Sequence, residues 1–221
     1  MTLTAHDVGP ALLLWDELAG GTARLINHSE NHTFLIETPE QGAFTLRVHR
    51  AGYQSRASVQ SELAWLTALH HDTALPVPEP VPGRNGELLQ SADTGQGERM
   101  MVLFRHVPGV EPRLDDAGLE ALFATLGEYA ATMHEHVTGW QRPAGFERQV
   151  WQARSILDPD GLWGDWRRAP GVDAHVRAVL DRLDAGLRQR LAAYGTGPDR
   201  YGLIHADMRL GNLLVDGRQV S

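Results

Sequence analysis

The chain has 221 residues, 42% of them hydrophobic, enough for one large or two small cores, and its formal net charge of −8 argues against nonspecific nucleic-acid binding, which rests on clustered cations. Cysteine is absent, which excludes disulfides, thiolate nucleophiles and Cys-ligated zinc, and all twenty basic side chains are arginine. No apolar run approaches the ~18 residues of a membrane span and the N-terminus lacks a signal-peptide pattern, so a cytoplasmic protein with neither membrane nor nucleic-acid partner is expected; composition leaves the oligomeric state unknown.

Three short extended runs come first, at 25–28, 32–37 and 43–49, separated by Ser29-Glu30-Asn31 and by a Pro39 to Gly42 turn. In the third, Phe44, Leu46 and Val48 share one face and Thr45, Arg47 and His49 the other, the period-2 pattern of a half-buried strand. Residues 58–69 then place Val59, Leu63, Leu66 and Leu69 at helical spacing, with Glu62 beside that stripe and free to face the sheet. The proline-rich stretch 76–82 cannot be helical and reads as a rigid extended connector. Two more strands are predicted at 87–90 and 99–104, and Arg105-His106-Val107-Pro108-Gly109 breaks the pattern.

Beyond that break the periodicity turns helical. Leu119, Leu122, Phe123, Leu126, Tyr129, Met133 and Val137 form a stripe behind an Asp115-Asp116 start, and a second helix carries Val172, Val176, Val179, Leu180, Leu183, Leu187 and Leu191; both stripes read as core-facing. Between them, 140–166 holds four of the six tryptophans with several arginines, too long for a minimal connection. It reads either as a cover over a polar acceptor or as an insertion anchored by its indoles. His70-His71 and His134-Glu135-His136 invite a metal reading, but positions i and i+2 do not share a helix face and no H-E-x-x-H occurs. Strands first and helices afterwards predict an α+β fold rather than an alternating βαβ sheet, with domains at 1–107 and 108–221 and the boundary near 104–112.

The most informative string lies near the end: His205-Ala206-Asp207-Met208-Arg209-Leu210-Gly211-Asn212, between an apolar approach and a hairpin signal at Asp216-Gly217. Phosphoryl transfer needs a carboxylate beside the attacking hydroxyl and a neutral oxygen ligand for Mg2+ a short, fixed distance along one loop, and Asp207 and Asn212 supply that pair. The competing reading is that both merely cap turns in a glycine-containing loop.

This H-x-D-x-x-x-x-N string resembles the catalytic loop of the protein-kinase-like superfamily, closest to the aminoglycoside phosphotransferase and homoserine kinase branch; Ala206 stands where protein kinases usually have Arg. The resemblance implies a two-lobe fold, with an antiparallel-sheet N-terminal lobe that binds nucleotide and a helical C-terminal lobe. It implies ATP or GTP as co-substrate, Mg2+, and a small polar hydroxylated acceptor. Asp207 would orient and deprotonate that hydroxyl, Asn212 would hold a metal, His205 would brace the loop, and Arg209 would set a cation against the transferring phosphate. The strand lysine and helix glutamate of the family would be matched by Arg47 and Glu62, Arg standing in for Lys; a surface ion pair is the alternative. Glu30 and Asn31 would lie in the phosphate-covering turn, and the hinge at Arg105, His106 and Val107 would meet the base through its backbone. A second metal ligand, the Asp of an Asp-Phe-Gly-like triplet, follows the hairpin in that superfamily, and none occurs before Ser221. The expectation is therefore a C-terminally truncated, inactive member, with a non-catalytic nucleotide-binding pseudokinase or interaction module as the alternative. A hydrolase using Asp207 with His205 is disfavoured by the lack of a nucleophile elbow.

Overall fold

In the strand Gly42–Val48 (β3), Phe44, Leu46 and Val48 are fully buried while Thr45 and Arg47 stay partly exposed, so the alternation written in the sequence is the alternation of the sheet. The computed structural model describes residues 2–217 and 219–221; Arg218, within the predicted terminal hairpin, lies outside the described residues. The chain divides into two compact units, Met1–Glu147 with Ile204–Ser221, and Arg148–Leu203. The 107/108 boundary read from the sequence concerns lobes and falls inside the first unit.

The first unit is built on an antiparallel sheet in which Thr22–His28 (β1), His32–Thr38 (β2), β3, Glu98–Arg105 (β6) and Pro80–Val81 (β4) lie side by side in that order, with Leu89–Asp93 (β5) also paired to β6. The register sets Arg47 opposite Thr33 on one side and Val102 on the other. One sheet face is covered by the N-terminal segment, where the short helix Ala5–Val8 (α1) and two 3-10 turns bring Leu3, Val8, Ala11, Trp15 and Leu18 onto Phe34, Ile36, Phe44 and Leu46. Trp15 donates its indole N–H to the Val81 carbonyl at 3.2 Å, which satisfies its one polar atom in the core. Against the other face lies the helix Arg56–Asp72 (α2), whose Val59 and Leu63 pack with Leu89, Val102 and Phe104. Its N-cap is Ser55, whose hydroxyl accepts from the Ser58 N–H at 3.0 Å.

The helix Leu119–Gly139 (α3) buries Leu126 and Met133. It starts at Leu119 rather than at Asp115-Asp116 because those aspartates close a turn on Arg113, whose N–H donates to Asp116 and whose Nε donates to Asp115, and Gly118 at φ 91° then caps the helix. The strand predicted at 87–90 begins at Leu89, since Gly83 and Glu87 close a turn by a 2.9 Å backbone hydrogen bond. The terminal hairpin is present, Val215–Asp216 (β7) pairing with Gln219–Val220 (β8), and Leu213 and Val220 pack on Leu126 of α3.

The second unit holds the helices Ala153–Leu157 (α4) and Ala174–Tyr194 (α5). The core-facing stripe expected of α5 is a correction: Val179, Leu183 and Leu191 are exposed, and the helix residue that is buried is Asp184, held by Arg167 at 3.1 Å and by Arg188. Those two guanidiniums keep the Asp184 carboxyl below the usual carboxylate range, its hydrogen bond from Arg188 being the largest cause. Val172 precedes the helix, whose cap is Asp173. Phe123 on α3 is likewise exposed. No helix among the described residues is long and apolar enough to cross a membrane.

Candidate active site

The loop after Ile204 carries its own mark of tension: Ala206, at φ 66°, is the one non-glycine residue with positive φ among the described residues. An L-residue held in that region costs about 1–2 kcal/mol, and such costs persist where the surrounding structure fixes them, most often at functional sites. The turn it makes delivers Asp207, whose N–H donates to His205 Nδ1 at 3.3 Å.

Asp207 and Asn212 point together. Asn212 Nδ2 donates to Asp207 Oδ2 at 2.7 Å and to the Asp207 carbonyl at 3.0 Å, made possible by the single 3-10 turn Leu210–Asn212. Asn212 Oδ1 has no donor among the described residues and is left as a neutral oxygen. Arg209 Nε donates to Asp207 Oδ1 at 3.2 Å, so the cation and the carboxylate of the motif pair with each other, both largely exposed. A Cβ at Gly211 would lie 2.9 Å from Arg209 Nη1 and 3.2 Å from Glu111 Oε1, the ends of two exposed side chains that can move aside. The hairpin behind the loop is fixed by the mutual Val110–Val215 backbone hydrogen bonds at 3.0 and 2.9 Å. Tyr129 of α3 donates its hydroxyl to the Val220 carbonyl at 3.3 Å.

On the sheet, Arg47 Nη1 meets Glu62 Oε1 of α2 at 2.7 Å, with both side chains about two-thirds covered and the guanidinium over the Phe104 ring at 5.0 Å. The strand and helix thus bring together the two residues that the sequence pairs. His49, two residues on, is 2% exposed. Burial, and next the Arg47 charge, push its pKa down from 6.5 to about 4, with Glu62 and Gln54 opposing. Gln54 approaches the ring closely enough to oppose the shift, but neither ring nitrogen completes a hydrogen bond of good geometry among the described residues.

The turn expected to cover phosphates is held at both ends: Ser29 N–H donates to the Asn31 carbonyl at 3.1 Å, and Asn31 Oδ1 accepts from the Arg50 N–H at 3.3 Å. Glu30 is exposed there, beside a hollow of about 430 Å³ that His28, His32, Arg50 and Arg99 also line. In the segment expected to be the hinge, the Arg105 N–H donates to the Glu79 carbonyl and the His106 N–H to the Ala43 carbonyl, which leaves Val107 as the one of the three whose N–H has no partner among the described residues. The His106 ring is tied to Thr45 Oγ1 at 3.1 Å through Nδ1. Local sequence pattern carries no sign of this contact, of the approach of Glu111 to Gly211 or of the burial of His49.

Among the described residues no cluster of three or more His, Asp or Glu side chains is placed to hold an ion, and the metal reading of the histidine pairs finds no support: His136 Nε2 is bonded instead to Asp72 at 3.0 Å. Mg2+ differs from zinc here, since it keeps several waters and takes one or two protein oxygens with substrate phosphates. The unengaged Asn212 oxygen fits that habit.

The family model of the phosphotransferase enzyme family, APH, matches residues 22–221. The chain belongs to this family. It is 43% identical to a structure of a microcompartment-associated aminopropanol kinase, with a TM-score of 0.82, covering 95% of this chain and 64% of that one. It is 25% identical to the amicoumacin kinase of Bacillus subtilis (strain 168) over 201 residues, 90% of this chain and 56% of that protein. A spectinomycin phosphotransferase structure, at 14% identity, covers 90% of this chain and 61% of that one and shares the fold with a TM-score of 0.57. The protein-kinase-like α+β architecture is thus shared with small-molecule kinases. The chain spans about half the length of the curated relatives it matches.

Proposed function

We propose that this chain belongs to an enzyme that transfers the terminal phosphate of ATP or GTP to the hydroxyl of a small polar molecule, with an amino alcohol as the acceptor class. The observation that carries the reading is the 2.7 Å contact between Asp207 and Asn212 in a strained H-A-D loop, which joins a base and a neutral oxygen ligand at one point. The Arg47–Glu62 pair supports it as the anchor for the nucleotide phosphates, and similarity to an aminopropanol kinase supports the acceptor class.

In this reading Asp207 accepts the acceptor's hydroxyl proton. The freed oxygen forms a bond to the γ-phosphorus, the bond from that phosphorus to the bridging oxygen breaks, and the nucleoside diphosphate leaves with the electron pair. Arg209 leaves Asp207 Oδ1 to meet charge on the phosphoryl oxygens, a role for which a planar guanidinium is suited. Mg2+ would be held by the Asn212 side-chain oxygen, and when bound it supplies neutralisation of phosphate charge. The Val107 N–H serves the base, and Glu30 and Asn31 the phosphate-covering turn.

The test is label transfer from γ-labelled ATP and GTP, with Mg2+, to aminopropanol and to a panel of other hydroxylated amines. Transfer that Asp207→Asn lowers by roughly 100-fold or more, with nucleotide affinity near normal, supports the reading. Full activity in that variant removes Asp207 from the base role. Nucleotide binding with no transfer to any acceptor favours a binding module instead.

A further inference from the structure

The anchor pair is only as good as the placement of its helix, and α2 is fastened at three points by the polypeptide of α3 and the stretch that follows it. At its N-terminus the cap Ser55 uses both halves of its hydroxyl: the oxygen accepts from the Ser58 N–H, and the hydrogen goes to Glu147 Oε1 at 2.6 Å. In its middle Ser61, 4% exposed and adjacent to Glu62, accepts the Glu147 backbone N–H at 2.8 Å while donating to the Ala57 carbonyl. At its C-terminal end Asp72 meets His136 of α3 at 3.0 Å. The stretch between the last two fastenings, 140–147, is stiffened by its own rings: Trp140 lies against His136 and edge-on to Phe146 at 5.5 Å, and the Arg142 guanidinium sits over Phe146 at 5.6 Å.

None of these contacts is needed to make α2 a helix. Ser55 caps it without Glu147, and Val59 and Leu63 bury it against the sheet. What they fix is its rotation and its slide along the sheet, the two motions that would carry the Glu62 carboxylate away from Arg47. We propose that the 140–147 segment is a strap that holds α2 in register, so that Ser55, Ser61 and Glu147 are positioning residues for the nucleotide phosphates, acting through the Arg47–Glu62 pair. This inference rests on the nucleotide reading of that pair.

Ser55→Asp separates capping from strapping. Aspartate is as good an N-cap as serine, so the helix keeps its start, but a second carboxylate now faces Glu147. The variant is expected to keep the wild-type melting temperature and circular dichroism, to lose hydrogen-exchange protection along α2, and to bind Mg-ATP roughly tenfold more weakly, the size of one lost charge-assisted hydrogen bond. Glu147→Gln added to it replaces the repelling carboxylate by an amide that can donate to the introduced carboxylate, and should restore both readouts to near wild type. Ser61→Ala, which removes the middle fastening, should weaken Mg-ATP in the same direction. Unchanged exchange and affinity in Ser55→Asp overturn the proposal, and so does looser exchange with unaltered affinity. A wild-type chain that does not bind Mg-ATP defeats the nucleotide reading; the strap itself is then decided by exchange alone, protection lost in Ser55→Asp and regained with Glu147→Gln supporting it and unchanged protection refuting it.

Discussion

Replacing His49 should flatten the acid side of the stability profile by a calculable amount. The imidazole is 2% exposed, beside Arg47, with no well-formed hydrogen bond at either nitrogen among the described residues and only a weak opposing contact from Gln54, and its pKa lies at about 4 instead of 6.5. In the unfolded chain it takes up a proton as pH falls through 6.5, whereas in the folded protein it stays neutral until about 4. The unfolded state therefore binds more protons across that window, and folding stability is full above 6.5 and is lost as pH falls towards 4. A gap of about 2.5 pH units at about 1.4 kcal/mol each is roughly 3.5 kcal/mol at its limit, of which about 2.5 kcal/mol is gone by pH 4.5. Other groups titrate in the same range, including His32, whose pKa burial also lowers, so the quantity to measure is a difference. Urea unfolding of wild type and of His49→Gln at pH 7.5 and pH 4.5 should show wild type losing about 2.5 kcal/mol more than the variant between the two. A difference below about 0.5 kcal/mol, or an NMR titration of the His49 ring near its ordinary value, refutes the claim that the ring is neutral by desolvation beside Arg47.

Ala206→Gly should leave the loop in place and raise stability by about 1 kcal/mol, because glycine adopts φ 66° without strain, while Ala206→Val should lower it; chemical denaturation decides, and a stabilising valine would show that the backbone is not strained there. Gly109→Ala should cost about 2 kcal/mol or more and loosen hydrogen exchange at Val215, since φ is 139° and the new Cβ would lie 3.0 Å from Leu214 Cβ and 3.1 Å from the Val215 nitrogen; a neutral substitution would mean that the hairpin does not depend on the Val110 bridge.

What was legible in the sequence is what local pattern can carry. Alternation in 43–49 placed Arg47 on the face opposite Phe44 and Leu46, and helical spacing around Val59 and Leu63 turned Glu62 towards the sheet; together they brought the ion pair within reach. The five-residue interval from Asp207 to Asn212 is short enough for one turn to close it, so their contact too was readable. The N-terminal segment was not, because α1 and its two 3-10 turns are too short to show a period, although they supply Leu3, Trp15 and Leu18 to the core. The fastening of α2 by Glu147 joins residues 86 and 92 positions apart, which single-sequence pattern cannot connect. The α5 stripe misled because apolar periodicity reports amphipathicity, and here the buried position went to Asp184, which two arginines neutralise. Ala206 looked like a mere departure from Arg; its positive φ is a property of the folded loop.

The most direct test of the account is calorimetric titration of Mg-ATP and Mg-GTP into the wild-type chain and into Arg47→Ala. Saturable one-site binding in wild type, weakened roughly tenfold or more in the variant, is the result expected if Arg47, held by Glu62, anchors the nucleotide phosphates. Equal affinity in the two proteins, or no binding of either nucleotide to wild type, would contradict it.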